Sequence, residues 1–473
     1  MTRVVVVHGL RADARPTTVQ NVVATSKYLS VNEVLNINIF GLVPEPVHSD
    51  AVILTYDFLA LRNWPIWKIL VNRIRPIIKS SDIRIAMPQD DYSNCDLLDK
   101  FLCDFQITHV YSSITNDLHV LYPRASAKCL PFGEALTGYV DELEFERVSK
   151  FAKPYSQREL DLGQRVRSLS PNLGVRASEK GAFAVGFSRL AEERGFRCDV
   201  SVRDEDVLLG DDWYRFLGNT RFTIGAKGGA SLADPTGRLA DQVRRMRIRE
   251  PAIQDDEIRG RLKIQRGRPG DFAAISPRIF EASAMGVCQV LKRDIYLEGF
   301  EPWKHYVPID SISRVDDAVV KVMRDYGRAA EIVEASQELL IHSGNFTYKR
   351  FLQRVAEDVG LTTTGSAPQV SDSSSELDAA IGDDGVALRW VQSYLARAFA
   401  RGALPRVEKF LDTGRFLTLD QSDKEWASHV ETNLQSLLLW VEALRSKRLL
   451  VESVAVPWRS VSSYLQPRSG TTV

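Results

Sequence analysis

Ser276, Pro277, Arg278 and Glu281 have the types and spacing to hold a phosphate ester beside a polyol. Proline in the first turn of a helix costs no hydrogen bond, because that N–H has no intrahelical acceptor, and a preceding serine can accept from the orphaned donors. The stretch therefore predicts a short helix opened by Ser276-Pro277 and stopped by Gly286, then a strand over Val287–Leu291. The N–H groups and partial positive charge of such a helix start suit an anion. Arg278 adds a cation, and Glu281, one turn on, an acceptor for hydroxyls. Ser276, Arg278 and Glu281 are the expected contacts to a nucleotide sugar.

A second chemical stretch is Thr223–Gly237, TIGAKGGASLADPTG. A strand runs into Gly225, and the small residues after it let a ligand lie against main chain. Lys227, Gly228, Gly229 and Ser231 are accordingly expected on the donor. Asp234 has two readings. It points into a cleft as a nucleophile or as an ion-pair partner for an oxocarbenium-like transition state, or it caps the next helix after a tight turn. His305, in EPWKHYVPID, is expected to donate to a phosphate or departing oxygen. Arg165, Arg167 and Ser168 are either ligand contacts or a basic solvated loop. Asp204–Asp206 and Asp241–Arg249 fit solvated surface.

These residues need a scaffold of alternating strands and helices. Arg3–His8, Asp50–Thr55, Ile83–Met87 and His109–Ser112 read as strands, with helical stretches over Asn63–Ile78 and Leu97–Phe105. Such alternation implies a parallel sheet with ligands at the carboxyl ends of its strands. His8, Gln89, Asp90, Asp91 and Tyr92 fall at such ends and are expected on the acceptor side. A second α/β block from Gly181 holds the strands Cys198–Val202 and Arg221–Gly225 and a helix around Trp213. The expected division is an acceptor-side Rossmann-like domain over 1–180 and a donor-side one over 181–361. A linker over 362–376, rich in Ser, Thr and Gly, then leads to a helical extension over 377–473. Apolar stripes over Val386–Phe410 and Lys424–Leu450 suit docking, oligomerisation or peripheral attachment to an inner membrane.

Composition narrows the class. The chain has 473 residues, 44% hydrophobic and 26% charged, and equal numbers of Lys+Arg and Asp+Glu, 61 each. That balance gives no net field for nucleic acid. Five scattered cysteines without a CxxC pair point to a reducing cytoplasm and away from structural zinc. The opening MTRVVVVHGL reads as a strand rather than a signal peptide, and no apolar run is long enough to span a membrane.

The segment PRIFEASAMG with its following strand resembles the donor-binding segment of GT-B glycosyltransferases, in which that glutamate holds donor hydroxyls. The EPWKHYVPID turn is similar to the one that closes over the donor. Two doubly wound domains facing a cleft are the GT-B arrangement. Met87–Tyr92 (MPQDDY), the LYPR at Leu121–Arg124, RCDVSVRDED from Arg197, the GGASLAD stretch and ISPRIFEA together resemble bacterial retaining β-Kdo transferases of surface polysaccharide assembly. That resemblance implies transfer of Kdo from CMP-Kdo to lipopolysaccharide O-antigen or capsule by double displacement, with Asp234 matching the nucleophile. Kdo is a keto-sugar acid with a carboxylate at its anomeric carbon, which Lys227, the Gly228-Gly229 backbone and Arg278 could meet. The resemblance implies no cofactor and no metal, so Asp90-Asp91 need not hold an ion. The first of the glutamate pair usual in retaining hexose transferases is absent, with Ala273 and Ala274 in its place. Transfer from a UDP- or GDP-sugar and a noncatalytic glycan-binding scaffold are the alternatives.

Overall fold

The first strand, RVVVVH, is a β-branched run with both faces covered, as a central parallel strand requires. In the computed structural model it is β1 (Arg3–His8), an inner strand of a seven-stranded sheet. The structure describes residues 2–10, 16–40, 43–64, 67–167, 169–263, 267–311, 317–364 and 368–372. The first sheet also contains β2 (Glu33–Asn38), β3 (Ser49–Leu54), β4 (Ser81–Ala86), β5 (His109–Ser112), β6 (Phe132–Glu134) and β14 (Gln369–Asp372). Their order is β14-β2-β1-β3-β4-β5-β6, and every pairing is parallel.

A second parallel sheet has the order β13-β12-β9-β7-β8. It is built from β7 (Leu160–Arg165), β8 (Cys198–Ser201), β9 (Thr220–Gly225), β12 (Cys288–Lys292) and β13 (Val307–Ile309). Each sheet has its own apolar core, one around Val7, Val52 and Phe58, the other around Phe187, Phe222 and Val290. Two Rossmann-like sheets with a cleft between them are the expected GT-B arrangement.

The boundaries differ from the expected ones. Leu160–Arg165 already belongs to the second sheet, so a division at 180/181 falls inside the Val175–Glu192 helix. The reason is the strand LDLGQR, whose polar and glycine positions hide its buried pattern. The chain also returns at its far end. The Tyr348–Asp358 helix packs Tyr348, Phe351, Leu352 and Val355 on the first sheet's core. Part of the expected linker, Gln369–Asp372, forms β14 on the free edge of β2. The amphipathic stretches 386–410 and 424–450 lie outside the described residues.

A third, small unit joins the sheets. β10 (Gly228–Ala233) and β11 (Arg268–Ala274) form an antiparallel ribbon, with the helices Arg238–Arg249 and Asp255–Arg261 between them. Although the chain reaches this ribbon from the second sheet, its Ala230, Ala233 and Phe272 are buried in the first sheet's core. Among the described residues no helix is long and apolar enough to cross a membrane.

Candidate functional site

The PRIFEASAMG stretch folds as a helix over Arg278–Ala284. Gly286 takes a left-handed φ of 61°, and the Val287 N–H reaches back to the Ala282 carbonyl, closing the helix as expected. The start differs. Pro277 occupies the N-cap, no side chain caps the helix, and Ser276 contributes its carbonyl to the Ile279 N–H. Proline at the cap leaves Ser276 outside the turn, where its hydroxyl is too early to reach the orphaned donors.

Arg278 and Glu281 are held by one indole. The Arg278 guanidinium lies 4.8 Å from the Trp213 ring centroid, and Trp213 Nε1 donates to Glu281 Oε2 at 2.7 Å. Arg278 Nη1 also donates to Gln164 Oε1 at 3.0 Å and to the Arg165 carbonyl. Gln164, buried in β7, is fixed in turn by Thr223 and Ile224 of β9. The adjacent strands of the sheet thus aim the arginine. Burial raises the Glu281 carboxyl above its ordinary range, against the lowering influence of Arg278, Trp213 and Lys180. Lys180, half-buried on the Val175–Glu192 helix, is pushed down to about 7 by burial and by Arg278 beside it.

These groups line a cavity of about 750 Å³. Of the expected donor residues, Gly228, Ser276, Arg278 and Glu281 face it. Arg167, Lys180, Trp213 and Tyr214 face it too. Arg167 is thus a cavity residue, whereas Arg165 pairs with Asp199 through two 2.8 Å contacts and packs on Phe216. Ser168 is outside the described residues. Four cations, Arg147, Arg167, Lys180 and Arg278, meet three carboxylates, Asp141, Glu144 and Glu281. Arg147 is already engaged by Glu144 and Asp211. Arg278 and Lys180 act on Glu281, and Arg167 lines the same cavity, an arrangement suited to an anion bearing hydroxyls.

Other expected donor residues lie elsewhere. Gly229 has φ 95°, and a side chain there would overlap the Phe272 carbonyl oxygen, so the close approach it permits is to β11 rather than to a ligand. Ser231 Oγ accepts from the Arg176 N–H at 3.3 Å and packs against Gly174. Lys227 faces a different cavity, paired with Asp294 at 3.2 Å.

Asp234 does not enter the cleft. It is 1% exposed, and Oδ2 accepts from the Ala240 N–H at 2.9 Å, with the Gly237 and Leu239 N–H groups also turned toward the carboxylate. The capping alternative is the one realised, since a carboxylate just before a helix is drawn to its orphaned N–H groups. Its backbone N–H donates to the Tyr92 carbonyl at 2.7 Å. His305 is also buried, stacked on Phe300 at 5.7 Å, with Nδ1 accepting from the Glu301 N–H. Burial holds its pKa below the ordinary value. It shapes its turn and reaches neither cavity.

The expected acceptor residues are mostly internal. His8 is 1% exposed, with its pKa lowered to about 4 by burial. Asp91 is fully buried and accepts from Ser112 and Tyr122 hydroxyls at 2.5 Å. Tyr92 is buried and donates to Asp90 at 2.5 Å. Gln89 lines a narrow crevice beside Tyr56 and Tyr348, and Asp90 is exposed. Buried Arg62 donates to the Gln89, Asp90 and Ser93 carbonyls, so this loop is a pinned platform for the β10–β11 ribbon. Among the described residues no cluster of three or more His, Cys, Asp or Glu could hold a metal ion.

The sequence did not single out Lys180, Trp213 or Gln164. A lysine and a tryptophan within helices, and a glutamine within a strand, carry no local mark of what they face in the fold.

No family model and no curated protein matches the chain. Solved structures similar to it include a glycosyltransferase from Rickettsia africae at 11% identity, covering 76% of this chain and 97% of that one, with a TM-score of 0.43. Anabaena HepE in complex with UDP-glucose aligns at 9% identity over 76% of this chain and 100% of its own, TM-score 0.43. AviGT4, a glycosyltransferase involved in avilamycin A biosynthesis, aligns at 12% identity over 78% and 99%, TM-score 0.39.

Proposed function

We propose that the chain is a glycosyltransferase that takes its sugar from a nucleotide donor bound in the 750 Å³ cavity. The observation that carries this reading is Arg278 and Lys180 beside Glu281, with Trp213 orienting both Arg278 and Glu281 and Arg167 on the lining of the same cavity. Arg278 and Lys180 hold the donor phosphate, and Glu281 accepts from donor hydroxyls. When the bond from the anomeric carbon to the phosphate oxygen breaks, its electron pair passes to that oxygen. Pre-placed cations there stabilise the developing charge without reorganisation.

The donor is proposed to be CMP-Kdo and the acceptor a bacterial surface glycan, lipopolysaccharide O-antigen or capsule, free or lipid-linked, at the cytoplasmic face. CMP-Kdo carries one phosphate and one sugar carboxylate, two anionic groups for which three cations are apt. No cofactor or metal is assigned, because the cations take the part of a divalent ion. Retention of configuration is not proposed, because the double displacement of the β-Kdo transferases needs a nucleophile and Asp234, which matches it, is buried as a helix cap.

The test is nucleotide release by the full chain given CMP-Kdo generated in situ, and in parallel UDP- and GDP-sugars, together with CMP binding. Arg278→Ala removes one charge-assisted contact, about 1.5–3 kcal/mol, so CMP should bind roughly 10- to 150-fold more weakly. Release from a UDP- or GDP-sugar alone would keep the transferase and reject Kdo. Unchanged affinity in Arg278→Ala would remove the cavity from the reaction.

A further inference from the structure

A second and larger cavity, about 1030 Å³, opens on the other side of the β10–β11 ribbon. Lys227 and Ile275 face it, while their chain neighbours Gly228 and Ser276 face the donor cavity. The two spaces therefore back onto one another across the ends of two strands. The wall is anchored to the first domain where Thr137 Oγ1 donates to the Ile275 carbonyl at 2.5 Å.

Its chemistry differs from that of the donor cavity. Three cations, Lys227, Arg350 and Arg354, meet four carboxylates, Glu134, Asp271, Asp294 and Glu298, the reverse of the excess across the wall. Two of the carboxylates are already paired, Asp294 with Lys227 at 3.2 Å and Asp271 with Arg176 at 2.5 Å. The apolar part includes Tyr139, Phe346 and Phe351, with Ile295 on the lining loop 84% exposed. Carboxylates and the Asn116 amide match sugar hydroxyls, and aromatic and aliphatic faces match the C–H faces of pyranose rings. With those two pairs made, Arg350 and Arg354 balance Glu134 and Glu298, so the lining offers no net field to draw in an anion. The volume is at the upper end for small-ligand pockets, as a chain of several sugars requires.

We propose that this cavity binds the acceptor as an uncharged, hydroxyl-rich oligosaccharide, with its reacting hydroxyl presented at the Lys227-Gly228 wall. This rests on the donor reading of the neighbouring cavity. It moves the acceptor from the buried His8, Asp91 and Tyr92 to the surface shared by both domains and the returning Tyr348–Asp358 helix.

The experiment measures two affinities on the full chain and on Thr115→Trp, which places an indole on an exposed part of the lining. The saccharide probes are neutral tri- and tetrasaccharides of glucose, galactose and mannose, and the same chains bearing a uronate, at millimolar concentration. The nucleotide probes are CMP and UDP. The expected result is binding of a neutral chain, about tenfold weaker in Thr115→Trp, with nucleotide affinity unchanged. Glu298→Ala, a smaller change at an exposed site, should weaken the same neutral chain and keep the fold. No saccharide binding to the wild type, equal binding in both variants, or preference for the uronate chains would overturn the proposal. Loss of nucleotide binding by the wild type would instead defeat the donor reading, and saccharide binding would still decide the second cavity by itself.

Discussion

Arg278 and Asp234 were both legible as chemical residues, yet only one faces a cavity. Arg278 stands out because a cation at a helix start is costly unless something uses it, and Gln164, Trp213 and Arg165 all orient it. Asp234 satisfied the same pattern with a structural job. Asp234→Ala should leave CMP affinity within about twofold and lower stability by about 0.5–2 kcal/mol, the usual scale for losing a cap, as read by nucleotide titration and thermal melting. A collapse of nucleotide binding in a well-folded Asp234→Ala protein would return the residue to the site. Lys180 gives a pH signature. Its amine is held near 7, so below that pH it is already charged and adds no pH dependence of its own to phosphate binding. A bound anion raises the lysine's pKa, so above pH 7 binding must take up a proton, and affinity falls by up to about tenfold per pH unit. Isothermal titration at several pH values should show that fall in the wild type and its absence in Lys180→Arg.

Among the elements, the β-branched runs were easily read because a buried parallel strand needs them, and β1 and β5 match their expected ends. The helix at Arg278 and its stop at Gly286 were equally plain, since proline and glycine act through backbone geometry alone. β2 and β7 were missed because Asn36 in one and Gln164 in the other interrupt the apolar pattern with buried, hydrogen-bonded polar groups. The glycines of GGASLAD have the pattern of a ligand-facing turn, but Gly229 serves a strand pairing. Nothing local distinguishes main chain approaching a sugar from main chain approaching another strand. Gly229→Ala combines left-handed strain with overlap on the Phe272 carbonyl, and should cost about 1–3 kcal/mol or more. Because the ribbon is also the wall between the cavities, nucleotide affinity should fall with it. Stability measured by urea unfolding beside CMP binding tests both, and an unperturbed protein would mean that the ribbon can shift register freely.

For the whole molecule, the ribbon changes what the two sheets can do. Tyr92 and Asp234 are joined by main chain, the Asp96 N–H donates to the Pro235 carbonyl at 3.1 Å, and Arg268 pairs with Asp96 at 2.7 Å. Phe272, entirely buried, lies in the first sheet's core although the chain carries it from the second. The two segments most distinctive in the sequence, MPQDDY and GGASLAD, therefore meet as the two halves of a joint, something spacing along a chain cannot reveal. A joint with shared core resists the free hinge motion common between domains with small polar interfaces. The described part of the chain should accordingly unfold in one cooperative transition, followed alike by tryptophan fluorescence and far-ultraviolet dichroism. Phe272→Ala removes a large buried side chain at a cost of about 3–5 kcal/mol. Because that loss falls on the joint, it should separate the melt into two steps, with the first sheet's unit losing structure apart from the second's. A single transition merely shifted to lower temperature would place the coupling elsewhere, as in the returning Tyr348–Asp358 helix, whose Tyr348 and Phe351 also pack on the first sheet's core.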